Sequence, residues 1–388
     1  MQRIYLDNNA TTSPDPLVLE EMMPYYKEYF GNASSVHEFG RKARMACDLA
    51  RETVRKCLGA GHLSEIIFTS GGTESDNFAI KGIARARKDK GNHIITSSIE
   101  HSAVLNTCKF LEQEGFDVTY LPVDKYGLVD PGTLKEAITD KTILVTIMTA
   151  NNEVGTIEPI GEIAAVVKSR GIVFHTDAVQ AVGKIPVNVD NLGADLLSVS
   201  GHKFHGPKGV GALYIRKGIK IIPCQHGGHQ EKGRRAGTEN VAGIVGLGKA
   251  IGLACDNLEK DSAKMLALRE RLLKGINDNI KHVVLNGHPE KRLPNTLNVS
   301  FKYLEGESIL LNLDMEGIAA STGSACTSGS LEPSHVLTGM RVDAVDAQGS
   351  IRFSLGRDNT EEDIDYTVRA LPPIIDKLRE MSPLYEKK

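Results

Sequence analysis

The six cysteines of this sequence (Cys47, Cys57, Cys108, Cys224, Cys255 and Cys326) include no C-x-x-C pair and no zinc-type spacing. That excludes a cysteine-built metal site, and in a chain of ordinary globular composition such thiols read as free. Five of them lie in apolar or helix-like contexts suited to burial, whereas Cys326 does not. Long apolar runs are missing too: nowhere do about eighteen uncharged apolar residues occur together, and the N-terminal MQRIYLDNNATT has no apolar core. Neither a signal peptide nor a spanning helix is expected, and a cytoplasmic location is. Charge of one sign is scarce, with a formal net charge of -3 and no block of like charges. Nucleic acid and membrane surfaces are therefore poor candidates for the main partner, and a small-molecule site a better one. There is no internal repeat and no low-complexity tract.

What is present is length and pattern. A chain of 388 residues is too long for one ordinary core and predicts two domains. Short β-branched runs fall at 66–70, 93–98, 118–123, 143–148, 172–177, 196–200 and 211–215, and amphipathic stretches such as Glu162 to Arg170 separate several of them. This alternation predicts an α/β unit with a mostly parallel, seven-stranded sheet covered by helices. After Thr238 the texture changes to VAGIVGLGKAIGLA and then to an amphipathic stretch with Met265, Leu268, Leu272 and Ile276 at helical spacing, expected to form a helix leading out of the first domain. VVLNG, TLNVSF, GIAAS and SIRFSL, with helices at Glu307–Asn312 and Thr360–Met381, predict a smaller α+β domain. The division expected is a large domain over 14–257 and a small one formed by 1–13 and 258–388.

In such sheets ligands gather at the carboxyl ends of the strands. After IIFTS come Gly72 and Thr73, able to cradle a phosphate, although Thr73 reads equally as a helix cap. After HIITSS comes His101, a cap, a core residue or a ring stacked on a flat ligand. Asn151 and Asn152 follow ILVTIM and are ordinary loop residues unless something planar lies beside them. Asp177 ends a strand that should be buried, where a carboxylate is costly unless a cation or a set of donors meets it. Gln180 follows it, and LLSVS runs into Ser200, His202 and Lys203.

A phosphate cup, an imidazole, amides, a carboxylate and an amine together suit pyridoxal 5'-phosphate (PLP). Its aldehyde needs a lysine, its pyridine nitrogen an acid, and its phosphate N–H groups and hydroxyls. Lys203 takes the first role and Asp177 the second. Gly72, Thr73, Ser200 and His202 hold the phosphate, Gln180 and Asn152 the ring-hydroxyl side, and His101 stacks on the ring.

The strings YLDNNATT, FGNASSVHEFG, FTSGGTESDN, IEHSAV, ANNEVGT, HTDAVQAVGK, SGHKFHGPKGVG, HGGHQEKGRRAGTEN, LPNTLNVSF, STGSACTSGSLEPSHVL and IRFSLGR follow one another from residue 5 to 357. In this the chain resembles the cysteine desulfurases of the NifS/IscS group. The resemblance implies a fold-type I PLP-dependent transferase, homodimeric, that converts L-cysteine to L-alanine and leaves the sulfur as a persulfide on Cys326 for delivery to an iron-sulfur scaffold. It implies that Lys203 forms the Schiff base, that Thr238 reaches the phosphate in the partner subunit's site, and that Arg352 binds the substrate carboxylate, a role suited to a bidentate fork. His101 becomes the candidate acid/base, and the small-residue segment 321–332 the carrier of Cys326. RRAGTEN and SGSLEPSHVL resemble the NifS branch more closely, and the long C-terminal tail usual in the IscS branch is not part of this sequence. A selenocysteine lyase, an aminotransferase of the same fold and a non-catalytic sulfur carrier or scaffold are the alternatives. No metal ligand set is expected.

Overall fold

The computed structural model describes residues 3–322 and 333–385. In chain order its strands are β1 (Ile4–Tyr5), β2 (Ile66–Thr69), β3 (His93–Ser97), β4 (Asp117–Leu121), β5 (Thr142–Thr146), β6 (Val173–Asp177), β7 (Leu196–Ser200), β8 (Gly211–Ile215), β9 (Val283–Asn286), β10 (Thr296–Phe301), β11 (Ile318–Ala319) and β12 (Ser350–Ser354). Seven of them form one sheet in the order β2-β8-β7-β6-β5-β3-β4. Only β8 runs against its neighbours, β2 and β7, so all the other strands point the same way.

Strands β3, β5, β6, β7 and β8 are buried at every position, because helices cover both faces. Val173, Leu196 and Leu213 pack on one face against Phe78, Ile80 and Val104 of the helices Gly72–Ala86 and Ser102–Gln113. Phe174, Leu197 and Tyr214 pack on the other, with Val54, Ile163 and Leu247. The apolar alternatives at successive positions explain why these strands read as continuous runs rather than alternating ones.

A second core surrounds the antiparallel sheet β12-β10-β9, where Leu297, Phe301 and Phe353 meet Leu272, Ile276 and Leu371. Strand β1 pairs in parallel with β11 beside this core. The expected single helix after Thr238 is two, Val241–Asp256 and Leu258–Asn279, bent by 71°. At the break, the Asn257 amide donates to its own helix's Leu253 carbonyl at 2.8 Å and ends the first helix. Among the described residues no single helix is long and apolar enough to cross a membrane. The helices Pro16–Lys27 and Glu38–Leu58 carry weaker apolar signals, since the buried face of the second is built largely from small residues such as Ala43, Ala46, Cys47 and Ala50.

Two features of this fold build the site. The common direction of β2, β3, β5, β6 and β7 brings five carboxyl ends to one edge of the sheet. The N-terminal segment then crosses that edge: Asn8 N–H donates to Ser354 O at 3.0 Å and Thr12 N–H to His202 O at 2.9 Å. Reversed β8 starts at the same edge, where a Cβ on Gly211 would come within 2.7 Å of the Gly71 Cα, and Gly71 itself has φ of 151°. Both positions therefore need glycine.

Candidate active site

The strand ends enclose a cavity of about 340 Å³ lined by Gly72, Thr73, His101, Asn152, Asp177, Gln180, Ser200, His202, Lys203 and Arg352, within the size range of small-molecule sites. A second, more open hollow adjoins it and shares Gly72, Thr73, Ser200 and His202. Thr238 lines neither; it is exposed on a separate segment. Cys326 lies outside the described residues, as does most of the 321–332 segment.

Lys203 sits in a single turn of 3₁₀ helix directly after β7. Its Nζ donates to the carbonyls of Asn9 at 2.6 Å and Ala10 at 3.0 Å, both from the crossing N-terminal segment. Asp177 ends β6 and accepts from its neighbour Val179 N–H at 2.8 Å. Burial raises its carboxyl above the ordinary value, while His101, that N–H and Lys203 pull it back. Asp76, on the helix behind, is buried with no hydrogen bond to its Oδ1, which lies 3.7 Å from His175 Nε2, and burial together with the charge of Asp177 holds its carboxyl well above the usual range. Two buried carboxyls this close share their protonation. Asp177 has the more stabilising neighbours of the two. His175, between Thr146 Oγ1 at 2.8 Å and Ser198 Oγ at 3.0 Å, is held neutral by burial, with its pKa down to about 3.

His101 is the N-cap of Ser102–Gln113, its Nδ1 accepting from Ala103 N–H at 3.1 Å. The cap contact places the proton of the neutral ring on Nε2. Burial lowers its pKa, opposed by Asp177 and reinforced by Lys203 and His335. His101 thus enters the site as a neutral donor, and it is a cap and a site residue at once. The helix Gly72–Ala86 opposite has no side-chain cap, so its first N–H groups remain available to an anion beside Thr73, Ser200 and His202. Glu74 would oppose an anion there, but Arg235 holds it through two contacts of 2.8 and 3.1 Å.

Arg352, on β12, donates to Asp7 Oδ1 at 2.8 Å and to Asn152 O at 3.1 Å, and its buried Nε has no partner. Asn151 and Asn152 divide the loop between them. Asn151 is fully buried, its Oδ1 accepting from the N–H groups of Glu153 and Val154, and it holds the loop shape; Asn152 lines the cavity.

Sequence reasoning missed Asn9, Ala10, Asp7, Asp76 and Lys184. The run DNNA gives a weak signal for the first three, but the relevant groups of Asn9 and Ala10 are backbone carbonyls, which no side-chain pattern reveals. Lys184 reads as a loop charge, yet it is buried, with Nζ 2.9 Å from Gln180 Oε1.

A buried carboxylate, a tethered amine, an uncapped helix start and a guanidinium surround one cavity at the strand ends of a seven-stranded α/β sheet, the architecture of the fold-type I class. The profile of the class-V aminotransferases matches residues 4–367. A cysteine desulfurase IscS of Methanosarcina thermophila is 59% identical over 384 residues, which cover 99% of this chain and 95% of that one. Among solved structures, a NifS-like protein superimposes with a TM-score of 0.92 at 44% identity, covering 97% of this chain and all of the other. Another, described as SspA in complex with cysteine, gives 0.82 at 41% identity, over 92% and 100% of the two chains. The chain belongs to the class-V aminotransferase family, in its NifS/IscS group of cysteine desulfurases.

Proposed function

We propose that this protein is a PLP-dependent cysteine desulfurase that takes L-cysteine to L-alanine and passes the sulfur through Cys326 to an iron-sulfur scaffold. The observation that carries this reading is the meeting of Lys203, Asp177, His101, Gln180 and Arg352 around one cavity. PLP bound there would supply an aldehyde for an amine and an electron sink for a carbanion at the substrate Cα.

Asp177 is suited to the pyridine nitrogen: a protonated ring nitrogen would be the cation that its buried carboxylate lacks. Thr73, Ser200, His202 and the first N–H groups of the Gly72–Ala86 helix suit the phosphate. Gln180 and Asn152 suit the ring-hydroxyl side. Lys203, released from the Asn9 and Ala10 carbonyls, is the amine available to move a proton at the substrate Cα. Arg352, braced by Asp7, takes the substrate carboxylate and orients the amino acid. His101, with its ring proton on Nε2, gives a hydrogen bond to the sulfur anion that forms when the Cys326 thiol releases its proton, and that proton is the one that ends on the carbon fragment. The Cys326 thiolate attacks the substrate sulfur: an S–S bond forms, and the C–S electron pair stays with the three-carbon fragment, which is protonated to alanine.

The homodimer is supported by the surface. Nine of the nineteen exposed large apolar side chains of the described residues fall within positions 17–49, among them Tyr26, Phe30, Val36, Met45 and Leu49. Exposed apolar side chains concentrated in one segment in this way call for a partner surface. Thr238 is exposed next to Glu239, which pairs with Arg44 of the same region at 3.4 Å, and this suits a residue that serves the other subunit. The free thiols of Cys47, Cys57, Cys108, Cys224 and Cys255 suit a reducing, cytoplasmic compartment.

The test is to supply L-cysteine and a reductant and to quantify sulfide and alanine, with Lys203→Ala and Cys326→Ala in parallel. Equal yields of the two products, lost in both variants, are expected. Alanine without sulfide, or turnover indifferent to Cys326, would leave an aminotransferase or another PLP enzyme. Faster turnover of selenocysteine than of cysteine would move the assignment to a lyase, and a protein that stays colourless with PLP to a non-catalytic carrier.

A further inference from the structure

Lys184 is a buried amine beneath the site for which the mechanism above has no use. It follows β6 in the segment Ala178–Lys184, and among the described residues no carboxylate lies within ion-pair distance of it: the charges that act on it are Lys203 and Arg352. Its Nζ donates instead to two oxygens of one residue, the Gln180 carbonyl at 3.2 Å and the Gln180 side-chain Oε1 at 2.9 Å. Gln180 Nε2 in turn donates to Asn9 O at 3.0 Å, the same carbonyl that receives Lys203 Nζ at 2.6 Å. A continuous chain of hydrogen bonds therefore runs from Lys184 through Gln180 and Asn9 to Lys203.

This chain decides which way the Gln180 amide faces. Rotated by half a turn, its NH₂ would meet the Lys184 amine, donor against donor, and its oxygen would meet the Asn9 carbonyl, acceptor against acceptor. Both contacts reject the flip. In the orientation observed, Oε1 is engaged by Lys184 and one N–H by Asn9, so the donor left over is the second N–H of an amide that lines the cavity.

We propose that Lys184 is a positioning residue that locks Gln180 as a hydrogen-bond donor toward the cofactor's ring oxygen. The proposal rests on the PLP reading given above. Charged, the amine can only donate and both contacts reject the flip; neutral, it still has two N–H bonds for its two acceptors, and the Asn9 carbonyl at 3.0 Å then rejects the flip. Burial, with Lys203 and Arg352 as the like charges facing it, brings the Lys184 pKa down to about 7. A cation with no carboxylate partner is costly in such a place, so its retention needs a reason, and the amide supplies one.

The test compares wild-type protein with Lys184→Met, Gln180→Leu and the double variant, each stripped of cofactor and titrated with PLP. Two readouts are taken: the dissociation constant of PLP, and the pH at which the visible absorbance of the bound cofactor changes. A donor to the ring oxygen favours the deprotonated chromophore, so its loss moves that transition to higher pH. Each single variant is expected to weaken PLP binding about fivefold, the worth of one net hydrogen bond, and to move the transition upward by a similar amount. The double variant should then do no more than Gln180→Leu alone. Lys184→Gln, which keeps an N–H donor, should fall between wild type and Lys184→Met. A Lys184→Met protein with wild-type affinity and transition overturns the proposal whatever its melting temperature, and so do effects that add in the double variant. Wild-type protein that takes up no PLP overturns the cofactor reading itself, and this is seen before any variant is made.

Discussion

Glu231 lies between β8 and Thr238, and its replacement by alanine gives a demanding test of how that segment is held. Its carboxylate accepts from both terminal nitrogens of Arg51 at 2.7 Å and from Phe68 N–H at 3.3 Å, while Arg51 also donates to Ile66 O at 2.6 Å. The pair thus closes the free edge of β2, and the Arg51 guanidinium rests 4.6 Å from the Phe68 ring centre. Both side chains are nearly inaccessible, at 11% and 4% exposure. Removing one member of such a pair strands a buried charge and costs about 3–5 kcal/mol. Against this, Glu231 and Lys232 stand consecutively at φ of 47° and 58°, a left-handed conformation that costs about 1–2 kcal/mol per residue. Release of the anchor lets about 1 kcal/mol of that strain relax, so the net loss for Glu231→Ala is about 2–4 kcal/mol, centred on roughly 3. At about 2–4 °C per kcal/mol for large domains, the melting temperature should fall by about 6–12 °C. With Thr238 in the role proposed for it at the partner subunit's phosphate, PLP affinity should fall as well. The assay is thermal denaturation of Glu231→Ala, Arg51→Ala and the double variant, with and without PLP. The two losses should overlap, so that the double variant is more stable than their sum implies, by at least about 1 kcal/mol. A fall of less than about 2 °C in Glu231→Ala, or additive losses, would refute the account.

Three further outcomes follow from the site. Asp177→Asn should abolish alanine formation while raising the melting temperature of cofactor-free protein, since it removes one of two mutually repelling buried carboxyls. The sign follows from linkage: Asp177 binds its proton more tightly when folded, so the folded state is stabilised at low pH and loses that stability as pH rises through the raised pKa. In the variant this fall, measured by melting across acid to neutral pH, should shrink. Arg352→Lys keeps the charge but not the fork that meets Asp7, and the KM for L-cysteine should rise about tenfold or more with a smaller change in kcat; an unchanged KM would remove Arg352 from carboxylate binding. Because burial lowers the pKa of His101, its contribution to the acid limb of the rate profile should lie below the ordinary histidine value, and His101→Gln should abolish that limb while retaining some turnover. A limb that persists unchanged belongs to another group.

The sequence alone was enough for the chemistry that side chains carry and that local pattern exposes. Runs of β-branched residues determined the strands of the large sheet to within a residue or two. The positions directly after those runs supplied Thr73, His101, Asn152, Asp177 and Lys203, because a parallel sheet collects its strand ends on one edge whatever the details of packing. The motifs determined the family. Three things were decided only by tertiary structure. The break at Asn257 depends on a side-chain contact inside a stretch whose apolar pattern is continuous. The tether of Lys203 runs to carbonyls 194 and 193 residues away, and backbone oxygens are the same in every sequence. The state of each buried ionisable group depends on neighbours and on exclusion of water. Asp76 reads as an ordinary acid of a helix start and Lys184 as an ordinary loop charge until the fold removes the solvent around them, and in that low-dielectric setting each becomes answerable to the few groups it touches.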